Sequence, residues 1–245
     1  MNKIFKWLSI FIIVLALAGG ATYLFKDRLF PEPPKDLNIV ALGDSLTYGV
    51  GSSEANDYVT RLKTRLERLE TIDEVTTANF GVTGNTSTQI HRRLVEQKDI
   101  QQAVKKADIV TITAGGNDLM AVVRLTMLRT NASSFEAALT TYKKEMKAIL
   151  DTIHKENNKA KVYVFGIYNP FTQILGDNEE ADEILTTWNN ALASITKKEH
   201  AEFVPIASEF HKAGATFISP KDQFHPNDEG YALMAKKLYD KIEDK

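Results

Sequence analysis

A serine hydroxyl becomes a useful nucleophile when a base stands ready to take its proton, and the residues best suited to that exchange here are Ser45 and His225. Ser45 lies in "IVALGDSLTYGVG" (39–51), where an apolar run breaks into Gly43-Asp44-Ser45-Leu46. At the mouth of a parallel strand such a serine points its hydroxyl into a ligand crevice, with its N–H among the free donors of the turn. Gly43 permits the close approach and dihedrals of that turn. The same residue types also favour a plain turn with a capping serine. His225 sits in "SPKDQFHPNDEG" (219–230), a loop-like stretch with Pro226 just beyond it and Asp222 three residues before. In a compact turn that spacing brings the carboxylate to one imidazole nitrogen and leaves the other for the serine, in the order Ser…Asp…His. The competing reading is a surface histidine beside a helix cap. His91, His154 and His200 lie in charged helical contexts that read as solvated, and His211 in "FHKAG" is ambiguous.

Acyl chemistry also needs donors for a developing oxyanion. "NFGVTGNTS" (79–87) offers the N–H of Gly84, and "AGGNDL" (114–119) offers the side-chain amide of Asn117; the N–H of Ser45 makes a third. Taken alone, Gly84-Asn85 is also a turn dipeptide and Asn117-Asp118 a helix cap.

These stretches need elements that bring them together. Short β-branched and apolar runs at 37–43, 74–81, 107–115, 160–167 and 202–206 read as strands covered on both faces. Between them, apolar residues recur at helical spacing: Leu62, Leu66 and Leu69; Leu139, Tyr142, Met146, Ile149 and Ile153; Ile184, Trp188, Leu192 and Ile195; Tyr231, Met234, Leu238 and Ile242 behind Asn227-Asp228. Strands alternating with helices imply a parallel sheet with helices on both sides, and a ligand at the carboxyl ends of its strands. The three polar, glycine-bearing stretches follow the first three predicted strands, as that rule requires.

Gly-Asp-Ser-Leu at 43–46, Gly84 within its block, Gly-x-Asn-Asp at 115–118 and Asp-x-x-His-Pro at 222–226 together resemble the four signature blocks of the SGNH (GDSL) hydrolases, in family order. The N-terminal apolar run and "YNPF" (168–171) are similar to the YpmR-like branch of Gram-positive bacteria. The resemblance implies a three-layer α/β/α flavodoxin-like fold with a five-stranded parallel sheet, and ester hydrolysis without metal or cofactor. It assigns Ser45 as nucleophile, His225 as base and Asp222 as its orienter. It makes Ser45 N–H, Gly84 N–H and Asn117 the oxyanion hole, with Asp44 and Asp118 as hydrogen-bonding supports. The expected activity is lipase- or esterase-type hydrolysis of acyl esters through an acyl-enzyme. The alternatives are an O-acetyl esterase or acyltransferase on cell-wall glycan, and a non-catalytic module that binds acyl or glycan groups. The apolar stretch "LMAVVRLTMLRTNASSF" (119–135) reads either as a core-facing helix or as an acyl-pocket wall or lid, with Phe171, Ile174 and Leu175 as another wall.

The N-terminus gives a location. Lys3 and Lys6 precede nineteen uncharged residues, Trp7 to Phe25, which as a helix span about 28 Å. The run is longer than an ordinary signal core, which favours a retained signal-anchor over a signal peptide cleaved around Ala16-Leu17-Ala18. The expected organisation is anchor or signal at 1–28, a Pro-rich linker at 29–36 and the catalytic domain at 37–245, outside the cytoplasm. Residues 1–35 hold five Lys/Arg against two acids, and the remaining 25 basic and 30 acidic residues give −5. A mildly acidic body lacks the basic footprint of a nucleic-acid binder. The chain has no cysteine, which excludes disulfides, thiolate catalysis and Cys-ligated zinc. "GVGSS" lacks the Lys-Ser/Thr of a phosphate loop.

Overall fold

Strand β1 (Lys35–Gly43) begins two residues before its expected start. It is followed by β2 (Ile72–Gly81), β3 (Ile109–Ile112), β4 (Lys161–Phe165) and β5 (Glu202–Val204), and the five form one sheet in the order β2-β1-β3-β4-β5. The computed structural model describes residues 33–125, 132–170 and 178–244. The apolar N-terminal run, most of the linker, and the expected wall residues Phe171, Ile174 and Leu175 lie outside these. Among the described residues no helix is long and apolar enough to cross a membrane.

β1 pairs parallel with β3, β3 with β4, and β4 with β5. The register sets Val40 beside Val110 and Val162, and Leu42 beside Ile112 and Val164. Because side chains alternate across a strand, these residues share one face, and Ile39, Ala41, Ile109, Tyr163 and Phe165 point to the other. Both faces are apolar because both are covered. The helices are α1 (Ser45–Tyr48), α2 (Tyr58–Leu66), α3 (Ser87–Glu96), α4 (Lys98–Lys106), α5 (Gly116–Leu125), α6 (Ala132–Glu156), α7 (Glu179–Lys198), α8 (Ala207–Ala213) and α9 (Asp228–Glu243). On the first face α3, α4, α6 and α7 insert Ile90, Ile100, Met146 and Leu192. On the second, α2 and α9 insert Leu62, Met234 and Leu238. The result is the three-layer, flavodoxin-like arrangement the sequence implies. Full burial of each such side chain contributes about 1.5–3 kcal/mol.

The expected helical stripes are core faces: Tyr142, Met146, Ile149 and Ile153 are all fully buried, as are Leu192, Tyr231, Met234 and Leu238. Asn227 caps α9, accepting from the N–H of Glu229 and of Gly230 at 3.0 Å each, a contribution of about 1 kcal/mol. β2 departs from expectation. Of its ten residues only Val75 is buried, because β2 is an edge strand. β3, β4 and β5 are each shorter than read; Thr113 and Ala114 past β3, and Gly166 and Ile167 past β4, build the rim.

Candidate active site

Ser45 opens α1 directly after β1 and is 6% exposed. The chain turns there because Asp44 caps the short helix, its Oδ1 accepting from Leu46 N at 3.0 Å. Behind it, Thr113 Oγ1 donates to Asp44 Oδ1 at 2.8 Å, and the Thr113 and Thr47 hydroxyls meet at 2.8 Å. Thr47 in turn touches the hydroxyl of Tyr58 at 3.0 Å, and Tyr58 that of Thr111 at 3.0 Å. This buried line of hydroxyls locks the turn to β3. Burial pushes the Asp44 carboxyl up, and the Thr113 and Leu46 hydrogen bonds oppose it. Gly43 is needed for space: a Cβ there would collide with the hydroxyls of both Thr113 and Thr47.

His225 reaches the same point from the other end of the sequence. Its Nε2 lies 2.9 Å from Ser45 Oγ, and its Nδ1 lies 2.7 Å from Asp222 Oδ2. The three-residue spacing works because Asp222 uses both oxygens. Oδ1 accepts from the N–H of Phe224 and of His225 at 3.0 Å each, closing an Asx-type turn, and Oδ2 faces the ring. Burial raises the Asp222 carboxyl, but the His225 ring and the two backbone donors outweigh it and hold it below its ordinary value. The turn is tied down by Ser219 N donating to His225 O at 2.8 Å and by Tyr168 OH donating to Phe224 O at 2.7 Å. A hydroxyl, an imidazole and a carboxylate in such a line pass a proton from the first to the second, with the third balancing the charge.

The two expected donor segments lie beside this line and are knotted to each other. Asn85 N donates to Val82 O at 3.1 Å across a turn whose third residue, Gly84, has φ +81°. That conformation is what glycine supplies, as in a type II turn; a Cβ there would meet nothing within 4 Å. Asn117, in the first turn of α5, donates from Nδ2 to Asn85 O at 3.0 Å. Next to it, Asp118 accepts from Ser87 N at 2.9 Å and from Ser87 Oγ at 2.5 Å. Asp118 therefore fastens the start of α3 to the start of α5 and has no contact with His225 among these bonds.

A chamber of about 170 Å³ opens beside Ser45 and Asn117. The described residues of the stretch 119–135 divide between core and chamber. Val122 is buried away from the chamber, whereas Leu119, itself buried, lines it with Met120, Val123, Phe135, Ile184, Leu185 and Tyr168. Of the other histidines, His91 is not simply solvated: its Nδ1 lies 2.7 Å from Glu145 Oε2. His211 is exposed in the last turn of α8. Sequence reading missed Thr113, Ser87 and the Tyr168 anchor. "YNPF" drew attention to Tyr168 only as a marker, because its partner is a backbone carbonyl.

Comparison with known proteins places the fold and the family. Residues 41–233 match the GDSL-like Lipase/Acylhydrolase family. YpmR of Bacillus subtilis (strain 168) is 36% identical over 206 residues, covering 83% of this chain and 80% of YpmR. The spore germination lipase LipC of Bacillus licheniformis is 28% identical over 207 residues, 82% of this chain and 94% of LipC. Among solved structures, the lipase Lip_vut3 from a goat rumen metagenome superposes with a TM-score of 0.73 at 29% identity, covering 82% of this chain and 95% of that one. The acetyl xylan esterase AlAXEase shares the fold, with a TM-score of 0.63 at 20% identity over 85% of this chain and 99% of its own.

Proposed function

The chain belongs to the GDSL-like lipase/acylhydrolase family, and on that premise we propose that it hydrolyses carboxylic esters with Ser45 as nucleophile, His225 as base and Asp222 as its orienter. The continuous line from Ser45 Oγ through His225 to Asp222, at 2.9 and 2.7 Å, carries this reading. Ser45 Oγ bonds to the ester carbonyl carbon as His225 Nε2 takes its proton, and Asp222 stabilises the imidazolium. The carbonyl oxygen, now negative, accepts from the N–H groups of Ser45 and Gly84 and from Asn117 Nδ2. One Asn117 N–H is already on Asn85 O, which fixes the amide plane and leaves the second for the oxyanion. Collapse breaks the bond to the alcohol oxygen, which takes the proton from Nε2. Water then attacks the acyl-enzyme as His225 removes its proton, and the second collapse returns that proton to Ser45 and releases the acid. Each oxyanion donor is worth about 3–4 kcal/mol of barrier.

A fluorophosphonate probe tests the assignment, because it labels an activated serine and passes over a binding module. The expected result is labelling at Ser45 and loss of p-nitrophenyl ester hydrolysis in a folded Ser45→Ala protein. Full turnover by that variant refutes the assignment. The same proposal places the enzyme outside the cytoplasm, tethered by the apolar run at 7–25. That part rests on the sequence alone and is tested by whether full-length protein sediments with membranes and is released by detergent rather than by salt.

A further inference from the structure

The chamber beside Ser45 has walls too apolar and a volume too large for an acetyl group. We propose that it holds the acyl chain of the ester and sets a preference for chains of about six to eight carbons. This rests on the serine reading above and names the substrate class of the same site.

Size is the first argument. The chamber is about 170 Å³; an apolar protein cavity of about 150 Å³ accommodates benzene, with its six carbons. An acetyl group would leave most of the walls without partner atoms and forfeit their dispersion contacts. Lining is the second. Met120 and Val123 come from α5, Phe135 from α6, and Ala181 and Leu185 from α7, so side chains from three helices converge on one space. Met120 among them is an adaptable thioether suited to a flexible chain. Direction is the third. Ser45 and Asn117 both line the chamber, so it begins at the reacting carbon. The acyl group stays bonded to Ser45 between the two half-reactions, while the alcohol must leave and water must enter. Around Gly84 the space is open, and Tyr48, three residues after Ser45, is 65% exposed. The apolar chamber therefore suits the group that stays, and the exposed space around Gly84 and Tyr48 suits the groups that exchange.

The test is a kcat/KM series on full-length protein with p-nitrophenyl esters from acetate to palmitate, beside a second series of acetate esters of ethanol through octanol. If the chamber holds the acyl chain, kcat/KM rises about fourfold per methylene up to six to eight carbons and then levels or falls, while the alcohol series stays flat. In Ala181→Trp, where the indole occupies the chamber, the octanoate-to-acetate ratio drops at least tenfold. A best substrate of acetate, a rise continuing to palmitate, or a length dependence confined to the alcohol series overturns the proposal. Labelling of Ser45 by the fluorophosphonate probe separates the two failures. Labelled protein with the wrong length profile sinks the chamber assignment alone, and unlabelled protein without ester turnover sinks the serine reading as well.

Discussion

The hydroxyl of Tyr168 donates to the carbonyl of Phe224 at 2.7 Å, joining the segment that follows β4 to the residue directly before His225. The tyrosine ring is itself fixed, stacked on Phe210 with centroids 4.2 Å apart. Burial holds its hydroxyl well above the ordinary tyrosine value, with the Asp44 and Asp222 charges adding to the effect, so it remains a donor throughout the working pH range. Tyr168→Phe keeps the stack and removes only this bond. We expect a stability loss of about 1 kcal/mol and a fall in kcat of about tenfold with KM for a short ester nearly unchanged, because a loosened base is misplaced more often. Steady-state kinetics and urea denaturation of the variant check both. Wild-type kcat would show that the His225 turn holds without Tyr168.

Asp222 has two separable duties, and two substitutions divide them. Asp222→Asn retains an oxygen for the N–H groups of Phe224 and His225 but presents an NH₂ to the ring, which favours the wrong tautomer. It should lower kcat by about 10³–10⁴-fold with little change in Tm. Asp222→Ala loses the turn bonds as well, and should add a stability loss of about 1–2 kcal/mol. Because the Asp222 carboxyl is held below its ordinary value of 3.8, its stabilisation is present above that pH and fades as pH falls through the lower folded value. Equal Tm in the two variants would remove the structural duty from the argument.

Asn117→Ala removes an oxyanion donor and the bond to Asn85 O together. Loss of one such donor lowers kcat by about 10²–10³-fold, while KM should change less than threefold, since the oxyanion exists only along the reaction path. Pre-steady-state acylation with a p-nitrophenyl ester locates the defect: a normal acylation rate in the variant removes Asn117 from the oxyanion hole.

How far this site could be read from sequence depends on whether its parts are side chains in short runs or partners that lack a distinctive residue type. Ser45, Asp222 and His225 were legible because each sits in a local turn with its own residue signature, and the strand alternation told which turns share a rim. The knot from Asn117 to Asn85 and the anchor from Tyr168 to Phe224 end on backbone carbonyls, which every residue has, so no spacing announces them. Thr113 read as an ordinary β-branched strand residue. The α7 side of the chamber hid for another reason: Ile184 belongs to a stripe that also packs on the core, and a residue that serves both surfaces looks like core alone. β2 misled because its apolar residues resemble a covered strand, whereas its edge position leaves most of them exposed or half-buried.

Asp118 offers a measurement of the knot that does not depend on activity. Burial pushes its carboxyl above the ordinary 3.8, and the side-chain and backbone hydrogen bonds from Ser87 draw it back only in part. A carboxyl raised by folding binds its proton more tightly in the native state than in the unfolded one. The stability it contributes is therefore complete below pH 3.8 and declines as pH rises through the folded value. Asp118→Asn has no such proton. It also relieves Asp44, whose carboxyl is pushed up in part by the Asp118 charge, so both changes act in one direction. The difference in unfolding free energy, wild type minus variant, should fall as pH rises above 3.8 and level off toward neutrality. Urea denaturation of the two proteins across that range measures it directly. A difference that stays constant or grows with pH would mean that Asp118 keeps its charge through folding without cost, and that the Ser87 bonds fully compensate its burial.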